Sequence, residues 1–255
     1  MFRPCIDLRA GQVVQIVGST LDDDPLADDA TTNYVSDRPA SWFADRYKSD
    51  ALLGGHVIKL GPGNDEAARH ALASWPGGLQ VGGGMSAENA RAWLDAGASH
   101  VIMTSWLVVD GSLSNERLAR AVAAIGHERL VIDLSCRWRD GEYWVVSDRW
   151  QRFTSVRINA QTLGGLADSC AEFLVHGVDV EGLAQGIDLE LVALLAAHSP
   201  IPCTYAGGAK SIDDLRTVHE MSHGRIDLTV GSALDLFGGR GVRYADCVEF
   251  NRMHR

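Results

Sequence analysis

Cys5-Ile6-Asp7-Leu8 returns as Val131-Ile132-Asp133-Leu134, and Gly82-Gly83-Gly84-Met85-Ser86 returns as Ala206-Gly207-Gly208-Ala209-Lys210-Ser211. Thr104-Ser105 has a third echo in Gly231-Ser232. All three pairs are about 125 residues apart, half of the 255-residue chain, which is the mark of an internal duplication. The chain therefore reads as one domain, 1–255, made of two half-barrels of about 1–125 and 126–255. Each half offers one carboxylate and one glycine-rich anion cradle. The expected ligand carries two phosphates and is worked on by two carboxylates.

Short apolar runs alternate with helical stretches throughout, as in parallel sheets with crossover helices. Strands are expected near Arg3–Asp7, His56–Leu60, Leu79–Gly82, His100–Thr104, Leu130–Leu134, Phe173–Asp179, Cys203–Ala206 and Asp227–Gly231. Helices are expected between them, near Pro39–Lys48, Asp65–Ser74, Ala87–Ala96, Asn115–Ile125, Asn159–Cys170, Asp188–Ala197 and Ser211–Met221. Asp65 and Ser211 are good N-caps, and Ser86 with Asn89 suggests a weak capping box. Eight strand–helix units point to an α/β fold, a single (β/α)8 TIM barrel. A doubly wound sheet would not repeat equivalent elements at one half-period.

Two stretches interrupt the alternation. Val13–Val17 follows the first strand and Tyr143–Val146 the fifth, so each half is expected to carry a β-hairpin after its aspartate. The first hairpin leads into Gly18 to Arg38, rich in aspartate and without apolar period, which is either a lid over the barrel mouth or a solvated excursion.

Composition bounds the function. A formal charge of −10 argues against nucleic acid and anionic membranes as partners, so any phosphate must be held locally. No signal segment opens the sequence and no apolar run reaches membrane-spanning length, so a cytoplasmic protein is expected. The five cysteines form no Cys-x-x-Cys pair and the nine histidines no His-Glu-x-x-His pattern, so neither a disulfide framework nor a metal site is expected.

Asp7 and Asp133 close strands that stand opposite each other in an eight-stranded barrel. Facing carboxylates in a partly desolvated mouth can have their pKa values pushed apart, one serving as base and the other as acid. Gly83 and Gly84 follow the third strand, Gly207 and Gly208 the seventh. Their backbone N–H groups can approach a phosphate, aided by the next helix N-terminus. Thr104 and Ser105, with Gly231 and Ser232, complete the two nests one strand later.

These segments, with Leu8-Arg9-Ala10-Gly11-Gln12-Val13-Val14, Ser135-Cys136-Arg137 and Ala233-Leu234-Asp235, resemble the phosphoribosylformimino-aminoimidazole carboxamide ribotide isomerases of histidine biosynthesis. The resemblance spans essentially the whole chain. It is closest to the fungal and plant branch, through His56-Val57-Ile58-Lys59-Leu60-Gly61-Pro62 and Asp179-Val180-Glu181-Gly182-Leu183. It implies a cofactor-free Amadori rearrangement of an aminoaldose to an aminoketose, with Asp7 as general base and Asp133 as general acid. It also implies a bis-phosphorylated small-molecule substrate, and a monomer is expected.

Three positions depart from the common bacterial pattern. Lys59 replaces an Asp, Gln15 stands where Arg is frequent, and Val178-Asp179-Val180-Glu181-Gly182 replaces a Thr-Asp-Ile-x-x-Asp-Gly run. Glu181 is thus a rival general acid and Asp179 a candidate substrate contact. Lys59 is either an ion-pair partner or a substrate contact, and Trp150 either stacks on the aminoimidazole or packs in the core. Three alternatives remain: the cyclase subunit of imidazole glycerol phosphate synthase, which carries a lysine where Gln15 stands; an isomerase acting also on phosphoribosylanthranilate; and a non-catalytic phosphosugar-binding barrel.

Overall fold

The computed structural model describes residues 1–17, 32–148 and 150–254. The first barrel strand comes in two pieces, Phe2–Arg3 and Cys5–Arg9, because Pro4 has no N–H to donate to a ladder. That break lets one strand serve two neighbours. Phe2–Arg3 pairs with Leu228–Thr229, while Cys5–Leu8 pairs with His56–Lys59, and the Pro4 carbonyl accepts the His56 N–H at 3.0 Å.

Around the ring follow Gly55–Lys59, Leu79–Gly82, Val101–Met103, Leu130–Asp133, Glu172–His176, Cys203–Ala206 and Ile226–Thr229, each parallel to the next. The two pieces of the first strand join the last strand to the second, so eight parallel strands close into a barrel. The sixth strand ends at His176, short of the expected Asp179, because the chain turns at Gly177 toward the fifth strand's extension.

The helices lie at Ala40–Ser49, Asp65–Ser74, Ala90–Asp95, Asn115–Ile125, Ala160–Leu166, Leu189–His198, Ile212–Ser222 and Tyr244–Met253. Ser211 forms the expected cap, a reciprocal box with Asp214. Asp65 does not cap. It sits in the first turn behind Asn64 and gives its carboxylate to Lys59 instead. The Ser86–Asn89 pair closes a turn ahead of a helix that begins only at Ala90.

Each hairpin proves to have three strands. Gln12–Ile16 folds back antiparallel on the first strand and Thr32–Val35 pairs with it; after the fifth strand come Cys136–Arg139, Glu142–Ser147 and Arg152–Arg157. The stretch expected as a loop over 18–38 therefore contains a strand at its end, and the rest of the lid reading, 18–31, lies outside the described residues.

Strand alternation places the chemistry. Ile6 and Leu8 pack outward into the main core with Ile132, Leu134, Phe173 and Val175, so Asp7, Asp133 and His176 face the barrel interior. Below them Ile58, Ile102, Val131 and Leu174 form a small apolar layer inside the ring. Lower still, buried Glu172 accepts hydrogen bonds from Gln80 at 2.8 Å and Thr204 at 2.5 Å.

The last helix completes the seam. Buried Asn251 accepts the Phe2 N–H at 2.7 Å and donates to the Phe2 carbonyl at 2.8 Å, standing in for a strand partner. Asn251→Ala strands both groups and is expected to cost about 2–4 kcal/mol in urea unfolding, with Asn251→Asp, which loses the donor, also destabilised.

Candidate active site

The carboxylate-bearing strand ends converge on a cavity of about 500 Å3 lined by Asp7, Asp133, Trp150, His176 and Glu181, with Gly83, Gly84, Thr104 and Ser105 along one wall. A narrow second lobe of about 30 Å3 is lined by Gly207, Gly208, Gly231 and Ser232. Asp7, His176 and Glu181 line both lobes. The titratable groups thus stand where the two expected anion nests meet.

Each nest contains a glycine whose place no side chain would fit. Gly83 has φ +88°, and a Cβ there would lie 2.1 Å from the Lys59 carbonyl; at Gly208, φ +71°, it would lie 2.2 Å from the Gly186 carbonyl. In each half a hairpin reaches across to the hydroxyl of the preceding nest. Asp148 N–H donates to Ser105 Oγ at 3.2 Å, and Asn33 Nδ2 donates to Ser232 Oγ at 2.9 Å and to the Gly182 carbonyl at 3.0 Å. Sequence patterns did not single out Asn33, because a lone amide at the end of an unpatterned polar stretch carries no signal.

Asp7 is half-buried, and among the described residues it accepts one hydrogen bond from a side chain, from Gln15 Nε2 at 3.2 Å. Burial, reinforced by the nearby Glu181 carboxyl, raises its pKa to about 7, against the opposing pull of His176 and Gln15. Glu181 is likewise raised by burial, with His176 pulling the other way. Among the described residues its buried Oε2 has no hydrogen-bond partner, and it lies 3.4 Å from where a Cβ on Gly207 would stand; Thr229 Oγ1, also on the small lobe, likewise has none among them. Both atoms are available to a ligand there.

Asp133 is held very differently. Oδ1 accepts from Ser135 N–H and Ser135 Oγ, both at 2.8 Å, and faces His176 Nδ1 at 3.4 Å, while Oδ2 accepts from Thr104 Oγ1 at 3.4 Å. The Ser135 and Thr104 partners all donate to it, and His176 Nδ1 donates as well where that nitrogen carries the proton.

His176 was not a candidate from the sequence. A histidine at the end of an apolar strand is more often a core residue, and only its position at the strand's C-terminal end could have marked it. Burial alone would lower its pKa; Asp133, Glu181 and Asp7 outweigh that and raise it to about 9. His56, at 6.3 Å between ring centroids, goes the other way, to about 3, through burial and the repulsion of His176.

Asp179 does not line the cavity: its carboxylate accepts from Arg137 Nε at 2.7 Å and from the Trp138 N–H at 2.9 Å, pinning the sixth loop to the fifth hairpin. Lys59 forms the ion pair with Asp65 at 2.7 Å and stands 4.1 Å over the Trp93 ring, yet also lines the large lobe. Trp150 is in the cavity wall rather than the core. It adopts φ +68°, rare for a bulky residue, with its ring 5.7 Å from that of His176.

The sequence profile described as "Histidine biosynthesis protein" matches residues 1–247. The chain belongs to this family. It is 52% identical over 264 residues to the 1-(5-phosphoribosyl)-5-((5-phosphoribosylamino)methylideneamino)imidazole-4-carboxamide isomerase of Yarrowia lipolytica, covering all of this chain and 99% of that one. The isomerase of the same name from Saccharomyces cerevisiae is 48% identical over 256 residues, with 98% of this chain and 97% of that one covered. The chloroplastic one of Medicago truncatula is 51% identical over 258 residues, covering all of this chain and 82% of its own.

The family's barrel mouth rests here on glycines with unequal constraints. Gly84 has φ +68° and open space around its Cβ position, whereas Gly208 has both a positive φ and a carbonyl at 2.2 Å. Gly84→Ala should cost about 1–2 kcal/mol of unfolding free energy, the left-handed penalty alone, and Gly208→Ala distinctly more. Equal costs in urea titrations would show that the second nest is not tightly built.

Proposed function

We propose that this chain is the cofactor-free isomerase that converts the aminoaldose named for its relatives into the corresponding aminoketose in histidine biosynthesis. The observation that carries this reading is that two glycine nests meet at Asp7, His176 and Glu181. The relatives' shared name specifies a substrate with two phosphoribosyl groups, and so two phosphates. One phosphate is assigned to Gly83, Gly84, Thr104 and Ser105, the other to Gly207, Gly208, Gly231 and Ser232. Trp150 is placed against the imidazole, and two half-barrels of about 1–125 and 126–255 are taken to supply one nest each.

Opening the ribose requires a proton on the ring oxygen, and forming the enolamine requires a base at C2′. Asp7, raised to about 7, suits the second step, since a carboxyl half ionised near neutrality is more basic than an ordinary aspartate. Glu181 serves the first. Its proton is favoured by burial, and a phosphate bound beside Gly207 would favour it further through like charge. Asp133, surrounded by donors, is assigned to orienting sugar hydroxyls. After Asp7 takes the C2′ proton, ketonisation moves a proton from the 2′-hydroxyl to C1′, and no redox partner is needed.

Among the described residues no helix is long and apolar enough to cross a membrane. We place the protein in the cytoplasm as a monomer, a reading that the five buried free cysteines support.

Asp7→Asn should lose roughly three or more orders of magnitude in turnover while still binding the substrate. Glu181→Gln should be impaired more than Asp133→Asn. The opposite ranking returns the acid role to Asp133, and near-normal turnover of Asp7→Asn would defeat the mechanism. The same substitution should affect stability with a defined sign. The folded state holds the Asp7 proton more tightly than the unfolded chain, so the native carboxylate costs stability increasingly as pH rises from about 4 to about 7. Asp7→Asn should therefore be the more stable protein at pH 8, by about 1 kcal/mol or more, and show little difference at pH 4, checked by urea unfolding at both.

A further inference from the structure

Three carboxylates from three elements stand around a single imidazole: Asp7 on the first strand, Asp133 on the fifth and Glu181 on the sixth loop. His176 Nδ1 faces Asp133 Oδ1 and Ser135 Oγ, each at 3.4 Å, and the residue lines both lobes together with Asp7 and Glu181. On its other sides stand the Trp150 ring at 5.7 Å and the His56 ring at 6.3 Å. Nothing in the proton transfers assigned above uses it.

A phosphosugar enzyme with three half-buried carboxylates and two phosphate nests has a charge problem. Each added anion raises the proton affinity of the others, and a base pushed far above neutrality would stay protonated when needed. Among the described residues the large lobe is also lined by Arg9 and Lys59, and Lys59 is engaged by Asp65. His56 does not help, since burial and the neighbouring ring keep it neutral.

We infer that His176 is a positioning residue for the isomerisation: its imidazolium is the shared counter-ion of Asp7, Asp133 and Glu181 and keeps the base ionisable near neutral pH. It fixes Asp133 by hydrogen bond and acts on Asp7 and Glu181 through space. The persistence of its charge to about pH 9 agrees with this placement. The inference rests on the isomerase reading for its kinetic consequences but not for the charge itself.

His176→Asn tests it, because the amide nitrogen can replace the Nδ1 donor to Asp133 while removing the charge. The acid limb of kcat/KM, which reports ionisation of the base, should move up by about one pH unit, so that activity lost at pH 7 is partly recovered at pH 8.5. A uniform loss at every pH, with the limb unmoved, would make His176 a packing residue and overturn the inference.

Nitrogen-15 NMR of the wild-type histidine rings is the second arm and works even if the variant does not fold. His176 should remain an imidazolium at pH 7.5, and a neutral ring at pH 7 would overturn the counter-ion role. Absence of isomerase activity in a wild-type protein whose His176 is charged would instead refute the function and leave the charge arrangement standing.

Discussion

A closed ring of eight parallel strands has one interior, and the period-two alternation of each strand sends every second side chain into it. The space is too narrow for many charges and too dry for unpaired ones, so apolar side chains must occupy its middle and polar groups its ends. Ile58, Ile102, Val131 and Leu174 fill that middle. The same alternation that seats Val131 there carries Asp133 to the mouth two residues later, and Leu174 carries His176. Site geometry is in this sense a by-product of packing: once the outward face of each strand belongs to the main core, the inward residues at the C-terminal ends have nowhere else to go.

Burial then does the chemical work that composition forbids. An acidic chain cannot attract phosphate with its net field, but glycine nests of the kind proposed here present backbone N–H groups at short range. Positions such as Gly83 and Gly208, where a Cβ would strike a neighbouring carbonyl, show how closely the backbone segments approach. The hairpins complete the arrangement by tying Ser105 to Asp148 and Ser232 to Asn33, each bond joining one half of the chain to the other. Because Asn33 also holds the Gly182 carbonyl, the second nest and the loop bearing Glu181 share a fastening.

Much of this was legible in the sequence because duplication amplifies weak signals. One aspartate after an apolar run or one pair of glycines says little, but the recurrence of Asp7 as Asp133 and of Gly83-Gly84 as Gly207-Gly208 points to the ring and to opposing positions for a candidate site. What stayed hidden lacks a repeat partner. His176 has no counterpart at half-period, Asn33 lies at the end of an unpatterned stretch, and Asn251 acts from a last helix that carries none of the repeated motifs. Asp179 misled for a related reason. Counting back from Gly182, the Thr-Asp-Ile-x-x-Asp-Gly run begins at His176 and ends with Glu181 before the glycine, which leaves Asp179 on an unspecified position, free to bind Arg137.

That register also explains why two departures from the run belong together. Replacing a threonine by His176 adds a buried imidazole, the proposed counter-ion, and replacing the run's last aspartate by Glu181 adds one methylene to the arm of the proposed acid. A neutral hydroxyl at position 176 could hydrogen-bond Asp133 but could not offset the mutual repulsion of Asp7 and Glu181, which burial already drives upward. On the proposed assignment, with His176 charged, a longer acid can lean toward Gly207 and the second nest, where a bound phosphate would reinforce its proton, while Asp7 as base keeps a pKa near neutrality. The proposed separation of base and acid thus depends on the whole sixth-strand segment, in which the loop sets the reach and the strand end supplies the charge.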